Sequence, residues 1–182
     1  MNIGIVGTGS IAHTMAKEFA RPTTMPVVAV CSRNADTGIA MAHEFNIPIS
    51  KVYTEYDEML ADSEVELVYI ATPNSLHFEQ AKAALLAGKH VLCEKAITLN
   101  SAELDEARAI AAEHNVVLMD ATTVLHMPLY QELRRRMDAG EFGRMNLAQL
   151  NFGSYKEYGD LTNRFYNRNL AGGAMLDIGV YA

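Results

Sequence analysis

Tryptophan is absent from the 182-residue chain, proline is held to five positions, and only two cysteines occur. Cys31 and Cys93 each end an apolar, strand-like run. They supply no disulfide framework and no metal-ligand spacing, and they read as small buried hydrophobes. No metal site is expected. No apolar run approaches the ~18 residues a membrane helix needs. Met1 and Asn2 lead directly into a strand, so neither a signal peptide nor a membrane partner is predicted, and a cytoplasmic location follows by default. Basic residues are also in deficit: 15 Lys and Arg against 22 Asp and Glu leave a net charge of -7. Long-range repulsion then disfavours a nucleic-acid or anionic-membrane partner. The one basic run, Arg134 to Arg136, lies inside a predicted helix and reads as a solvated face.

What is present is an ordinary globular balance, 49% hydrophobic and 20% charged, in which apolar runs alternate with helical patterns. Strands are predicted near 2–6, 26–31, 49–52, 66–70, 89–93 and 116–119, and helices near 10–20, 35–45, 55–61, 75–87 and 101–114. This alternation is βαβ repetition. Thr54 with Asp57, and Asn100 with Glu103, have the spacing of capping boxes, while Gly88 and Gly140 stand where helix C-termini favour a left-handed residue. Pro128 suits the first turn of a further helix, 128–139. After about residue 120 the pattern changes to that helix, a strand-like stretch near 144–153, and a polar loop rich in Asn, Tyr and Arg. The fold class is therefore α/β: a Rossmann-type doubly wound parallel sheet over 1–120, followed by the start of a second, incomplete α+β domain over 121–182. One strand and the opening of one helix cannot bury a sheet face. A truncated chain, inert by itself and self-associating through its uncovered face, is the expectation.

The first strand runs into Gly7-Thr8-Gly9-Ser10-Ile11-Ala12, a G-x-G-x-x-A pattern at the first βα turn. Gly7 allows the tight turn, Gly9 lets backbone amides approach a pyrophosphate at the helix N-terminus, and Ala12 permits close helix–strand packing. NAD binders usually end the second strand with an acid for the ribose 2′-hydroxyl; here the strand ends Cys31-Ser32-Arg33. Arg33 suits a 2′-phosphate, which favours NADP over NAD; Asp36 in the next helix is the weaker alternative. Residues 71–98 then read as strand end, Pro-Asn turn, helix, glycine stop, second strand and Glu94-Lys95. Lys95 is thus delivered to the carboxyl end of a strand, where open parallel sheets bind ligands.

With the Gly fingerprint, Ala71-Thr72-Pro73-Asn74 followed by His77, the strand ending Glu94-Lys95, and Gly172-Gly173 followed by Asp177 and Tyr181, the chain resembles the glucose-fructose oxidoreductase / inositol dehydrogenase (Gfo/Idh/MocA) family. The resemblance implies NAD(P)-dependent oxidation or reduction of a sugar, polyol or related hydroxyl compound by a chain nearly twice this long; a homo-oligomer is expected from the uncovered face. It implies that Thr72, Pro73, Asn74 and His77 lie beside the nicotinamide ribose. Asn74 or Ser75 is equally a helix cap. Glu94-Lys95 matches the family's Glu-Lys-Pro motif, in which the lysine faces the substrate and the glutamate helps shape the cofactor site. Here Ala96 replaces the proline. Asp177 matches the family aspartate. Tyr181 stands where many members have histidine and some have tyrosine.

On a helix following Gly172-Gly173, Asp177 and Tyr181 share one face. The resemblance makes Tyr181 the candidate acid/base; its pKa near 10 would have to fall by about two units, a shift Lys95 could supply, with Asp177 holding the lysine or a substrate hydroxyl. Arg164, Arg168 and His126 are candidate substrate-side residues, although loop solvation or packing accounts for each. The competing reading is a non-catalytic nucleotide sensor or scaffold of the same fold, which would need none of Lys95, Asp177 and Tyr181.

Overall fold

The computed structural model describes residues 1–182 apart from 22–24, 154, 156, 158, 164 and 182. Arg164 therefore lies outside the described residues. Six strands form one sheet: β1 (Ile3–Val6), β2 (Val27–Cys31), β3 (Val52–Tyr53), β4 (Leu67–Ile70), β5 (His90–Cys93) and β6 (Leu118–Asp120). All pairs are parallel, and the spatial order is β3-β2-β1-β4-β5-β6. This is the doubly wound order, with its topological switch between β1 and β4. The helices are α1 (Ser10–Phe19), α2 (Ala35–Phe45), α3 (Tyr56–Ala61), α4 (Asn74–Leu86), α5 (Ser101–Glu113), α6 (Pro128–Asp138) and the single turn α7 (Ala174–Asp177).

Side chains alternate between the two faces of a strand, and the core divides accordingly. Ile3, Ile5, Val30 and Tyr69 pack with Ala12 and Ala16 of α1 and Met41 of α2 on one face. Val6, Val68, Ile70 and Val91 pack with α3, α4 and α5 on the other. Both faces are covered, which is why the central strands read as continuous apolar runs. Where the helices meet the sheet their buried residues are mostly alanines, including Ala81 and Ala84 of α4 and Ala107 and Ala111 of α5. These small side chains let helix and strand backbones approach closely, as the fingerprint's Ala12 does.

Several local expectations change. The predicted strand near 49–52 is a 3-10 turn (Ile49–Lys51) followed by the two-residue β3. The Thr54–Asp57 box does not form, because α3 begins at Tyr56 with Glu55 as N-cap and no side-chain cap bond. The Asn100–Glu103 box does form: the Asn100 side chain accepts from the Glu103 N–H at 3.0 Å. Its return arm reaches one residue further, with the Glu103 carboxylate accepting from the Leu99 N–H at 2.9 Å. Gly88 and Gly140 adopt positive φ (72° and 73°) as predicted. Pro128 opens α6, whose Arg135 and Arg136 both pair with Glu132 at 2.8 Å. The stretch 144–153 carries a strand-like pattern yet forms no strand. A strand needs a partner for its N–H and C=O groups, and no described residue provides one. Leu147 accordingly stands 86% exposed.

Candidate active site

The carboxyl ends of β1, β2, β4 and β5 open into one cavity of about 700 Å³. The first βα turn contributes Thr8, Gly9, Ser10 and Ile11, the end of β2 contributes Ser32, Arg33 and Asn34, and α2 adds Thr37. From the other side of the switch come Thr72, Pro73, Asn74 and His77, then Glu94, Lys95 and Tyr181. Of the residues assigned from the sequence to the catalytic group and to the cofactor site, all line this cavity except Gly7 and Asp177; the weaker alternative Asp36 does not line it.

Gly7 has φ +102°, and a Cβ there would meet the Ala71 carbonyl oxygen at 2.8 Å. The turn is therefore open to glycine alone. Its N–H donates to the Cys31 carbonyl at 2.9 Å, tying the turn to the end of β2. Gly9 differs: a Cβ would meet nothing within 4 Å, so the requirement for glycine there is not internal to the fold. Gly9 is also the N-cap of α1 and makes no side-chain cap bond. The first amides of a ten-residue helix thus face the cavity without a side-chain partner, as a phosphate site requires.

At the end of β2 no carboxylate enters the cavity. Ser32 Oγ and Thr37 Oγ1 lie 2.8 Å apart, and Thr8 Oγ1 lies 3.3 Å and 3.1 Å from them. Thr37 Oγ1 donates in turn to the Asn34 carbonyl at 2.9 Å, so the cluster is internally bonded and supplies hydroxyls that can reorient, while Arg33 lines the same cavity as its cation. Thr37 was not among the sequence candidates. Its signal was its place as third residue of a helix whose cap, Asn34, accepts from the Asp36 N–H at 2.8 Å.

On the side of the cavity beyond the switch the first turn of α4 is not capped as expected. The N-cap is Pro73, with no side-chain bond, and Asn74 is the first helical residue. Asn74 Nδ2 instead donates to the Ala171 carbonyl at 3.2 Å. His77 is 1% exposed, with Nδ1 2.8 Å from the Ala96 carbonyl and Nε2 2.8 Å from the Thr72 carbonyl. It braces the loop after β4 against the turn after Lys95 while contributing to the cavity wall.

Glu94 accepts a 2.6 Å hydrogen bond from the Tyr69 hydroxyl. Burial first, and then this bond, push the Tyr69 phenol far above its ordinary range. Tyr69 is thus a fixed neutral donor that orients the Glu94 carboxylate. Sequence reading missed it because a tyrosine in an apolar strand reads as core. Cys93 and Cys31 are inert by the same cause, burial holding the Cys31 thiol at about 11.

Lys95 leaves β5 through a cis peptide to Ala96. Its Nζ donates to Asp177 Oδ1 at 2.9 Å and to the Asp177 carbonyl, and lies 5.3 Å from the centre of the Tyr181 ring. The expected single helix carrying Asp177 and Tyr181 is absent. Instead α7 ends at Asp177, Ile178 leaves helical geometry, and Gly179–Tyr181 is a separate 3-10 turn. The reason is local: α7 is one turn long, far too short to propagate by its own hydrogen bonds. Contact with Lys95 rather than helix continuity brings the two residues together. Phe152 packs against Tyr181 with ring centres 4.8 Å apart and the rings tilted at 48°. Arg168 begins the 3-10 turn Arg168–Leu170, and His126 ends another (Thr123–His126); neither lines the cavity. Among the described residues no cluster suits a metal ion, and no helix is long and apolar enough to cross a membrane.

Residues 1–122 match the oxidoreductase family described as NAD-binding Rossmann fold, and residues 130–182 match the GFO/IDH/MocA C-terminal domain. The chain belongs to the Gfo/Idh/MocA family. It is 36% identical over 98% of its length to the D-xylose 1-dehydrogenase (NADP(+)) of Hypocrea jecorina, covering 50% of that protein. It is 37% identical over 98% of its length to the trans-1,2-dihydrobenzene-1,2-diol dehydrogenase of Mus musculus, covering 53% of it. Among solved structures, a 3-ketoreductase from Actinomadura kijaniata with NADP and TDP-benzene superposes with a TM-score of 0.81 at 28% identity. That match covers all of this chain and 55% of the other. The chain thus spans about half the length of the curated relatives it matches.

Proposed function

We propose that this chain forms the dinucleotide-binding half and the catalytic lysine of an NADP-preferring oxidoreductase, with NAD as a weaker alternative. The reaction is hydride transfer between the nicotinamide and a carbon bearing the hydroxyl or carbonyl of a sugar, polyol or related compound. The observation that carries this reading is a single cavity holding both the uncapped N-terminus of α1 beside Gly9 and the paired Lys95, with Arg33 and no acid at the end of β2. The relatives agree with it, among them the D-xylose 1-dehydrogenase (NADP(+)) of Hypocrea jecorina and a scyllo-inositol 2-dehydrogenase (NADP(+)) of Bacillus subtilis.

In this reading residues 1–120 bind the cofactor and residues 121–182 begin the substrate domain. Gly7, Thr8, Gly9, Ser10 and Ile11 receive the pyrophosphate. Ser32 and Arg33 receive the 2′-phosphate. Thr72, Pro73, Asn74, His77 and Glu94 shape the nicotinamide side. When bound, the cofactor supplies the hydride acceptor or donor. Lys95 orients the substrate hydroxyl, Tyr181 takes or gives its proton, and Asp177 holds the lysine ammonium in position. Retention of all three beside the cavity favours an enzyme over a nucleotide sensor, whose task needs none of them. A homo-oligomer suits the exposed apolar side chains of α6 and the segment after it, Leu129, Phe142 and Leu147 among them.

The deciding experiment titrates NADP(H) and NAD(H) into the 182-residue chain by nicotinamide fluorescence. It then assays a full-length parent against a panel of aldoses and polyols. Tighter NADP(H) binding together with turnover on the panel supports the reading. Absence of dinucleotide binding overturns it.

A further inference from the structure

Asn74 occupies a position at which a polar side chain ordinarily caps the helix or faces water. It makes no cap bond, and its amide instead reaches 97 residues along the chain to the Ala171 carbonyl. Ala171 is buried and holds a left-handed conformation (φ 55°) at the end of the Arg168–Leu170 turn. The two glycines that follow donate their N–H groups to the carbonyls of Asn167 and Phe165 at 3.0 and 2.9 Å. The Gly173 carbonyl then accepts from the Asp177 N–H at 3.0 Å. Asn74 is therefore linked to the residue that grips Lys95 by its bond to Ala171, the backbone of a turn held by its own hydrogen bonds, and the bond from Asp177 N–H to the Gly173 carbonyl. The joint also packs Pro73 near Phe165 and Leu170, leaving a cleft of only about 10 Å³ that Asn74 and Asp177 both line.

We infer that Asn74 is a positioning residue, acting through Ala171 to hold the turn 168–177 so that the Asp177 carboxylate meets Lys95. Two pins join this segment to the Rossmann sheet, Asn74 at the loop after β4 and Lys95 at the end of β5, and both line the dinucleotide cavity. Displacement of the Pro73-Asn74 loop by a ligand is thereby transmitted to the grip on Lys95. The catalytic meaning of this coupling rests on the function proposed above; the coupling itself does not.

The test uses the 182-residue chain without cofactor and two variants. Asn74→Leu matches the size of asparagine and lacks the donor, whereas Asn74→Gln keeps a donor. Backbone hydrogen exchange is followed over residues 168–181, and acylation of Lys95 by a water-soluble reagent is followed by mass spectrometry. In Asn74→Leu both should accelerate about three- to tenfold, the range set by losing one hydrogen bond from a local opening equilibrium. Exchange in the six strands should stay unchanged, and Asn74→Gln should recover part of the protection. Unchanged exchange at 168–181 and unchanged Lys95 reactivity overturn the inference, as does an equal acceleration throughout the sheet, which would mean general destabilisation. NADP binding is measured alongside. If Asn74→Leu loses NADP with no change at 168–181, Asn74 is a dinucleotide contact only and the inference fails. If the parent chain binds no NADP but 168–181 loosens as expected, the proposed function fails and the inference stands.

Discussion

The Lys95 ammonium and the Asp177 carboxylate, 82 residues apart in sequence, meet at 2.9 Å with side chains 17% and 20% exposed. One member lies two residues past the end of β5 and the other ends a helix of a single turn. The pair is therefore one of the ties between the Rossmann sheet and the segment behind it, beside the bond from Asn74 to Ala171. In a full-length parent, Lys95→Ala should lower kcat at least about a hundredfold with dinucleotide affinity little changed, because a group that orients substrate and proton acts mainly in the transition state. Near-normal turnover would make Lys95 a structural tie only. On this chain the same substitution leaves Asp177 without its cation, so hydrogen exchange over residues 168–181 should rise.

The choice of cofactor is tested at the end of β2. Arg33→Ala should weaken NADP(H) by roughly 1 to 3 kcal/mol, as for loss of a charge-assisted contact, and leave NAD(H) nearly unchanged. Calorimetric titration of both cofactors reads this directly. Equal losses for both, or none, would remove Arg33 from the 2′-phosphate site. Thr37→Val should act in the same direction with a smaller effect, since it removes one hydroxyl of the cluster and keeps the shape.

Much of this was legible in the sequence because the sheet is buried on both faces. Apolar runs, Gly88, Pro128 and the Asn100–Glu103 pair each constrain backbone locally, and the structure places all of them where local rules do. The fingerprint was legible for the same reason, since Gly7 answers to one steric contact. The stretch 144–153 was misread because alternation of apolar residues predicts a strand only if a partner exists, and that partner is not a local property. Asn74 was read as a helix cap or a ligand contact. Its bond to Ala171 depends on a turn 97 residues away. Tyr69 and the break between Asp177 and Tyr181 were hidden likewise, the first by its apolar strand and the second by an assumption of helix continuity.

Acid should reveal the cluster at the other end of the sheet. Asp62 accepts from the Lys51 ammonium and the Tyr53 hydroxyl, each at 2.9 Å, and from the Glu64 N–H at 3.0 Å. The bond from Lys51 chiefly, then those from Glu64 and Tyr53, hold its carboxyl at about 2. A carboxyl with a depressed folded pKa binds fewer protons folded than unfolded between about pH 2 and 4. Its stabilisation is complete above the unfolded value and is lost as pH falls through about 2. Because Lys51 keeps 21% exposure, solvent screening reduces the contribution to about 1 kcal/mol. Urea unfolding of the parent chain and of Asp62→Asn should differ by that amount at pH 7. The difference should close as pH falls from 5 to 2, and a gap independent of pH would show that the charge is not its source.

The two fingerprint glycines should separate folding from binding. Gly7→Ala forces a side chain into left-handed backbone and against the Ala71 carbonyl, 2.8 Å from the new Cβ. Strain of this kind costs of order 1 to 3 kcal/mol, so the urea midpoint should fall whether or not cofactor is present. Gly9 has φ -80° and open space where a Cβ would stand. The Cβ of Gly9→Val therefore meets no internal obstacle, and the unfolding free energy of the cofactor-free chain should fall by no more than about 1 kcal/mol, the loss expected when an apolar residue replaces an N-cap glycine. The branched side chain does occupy the approach to the first amides of α1, so NADP(H) affinity should fall by at least about tenfold, or ~1.4 kcal/mol. If Gly9→Val binds NADP(H) as the parent does, the pyrophosphate does not sit on this helix terminus. If it unfolds as readily as Gly7→Ala, the second glycine serves the fold and not the ligand.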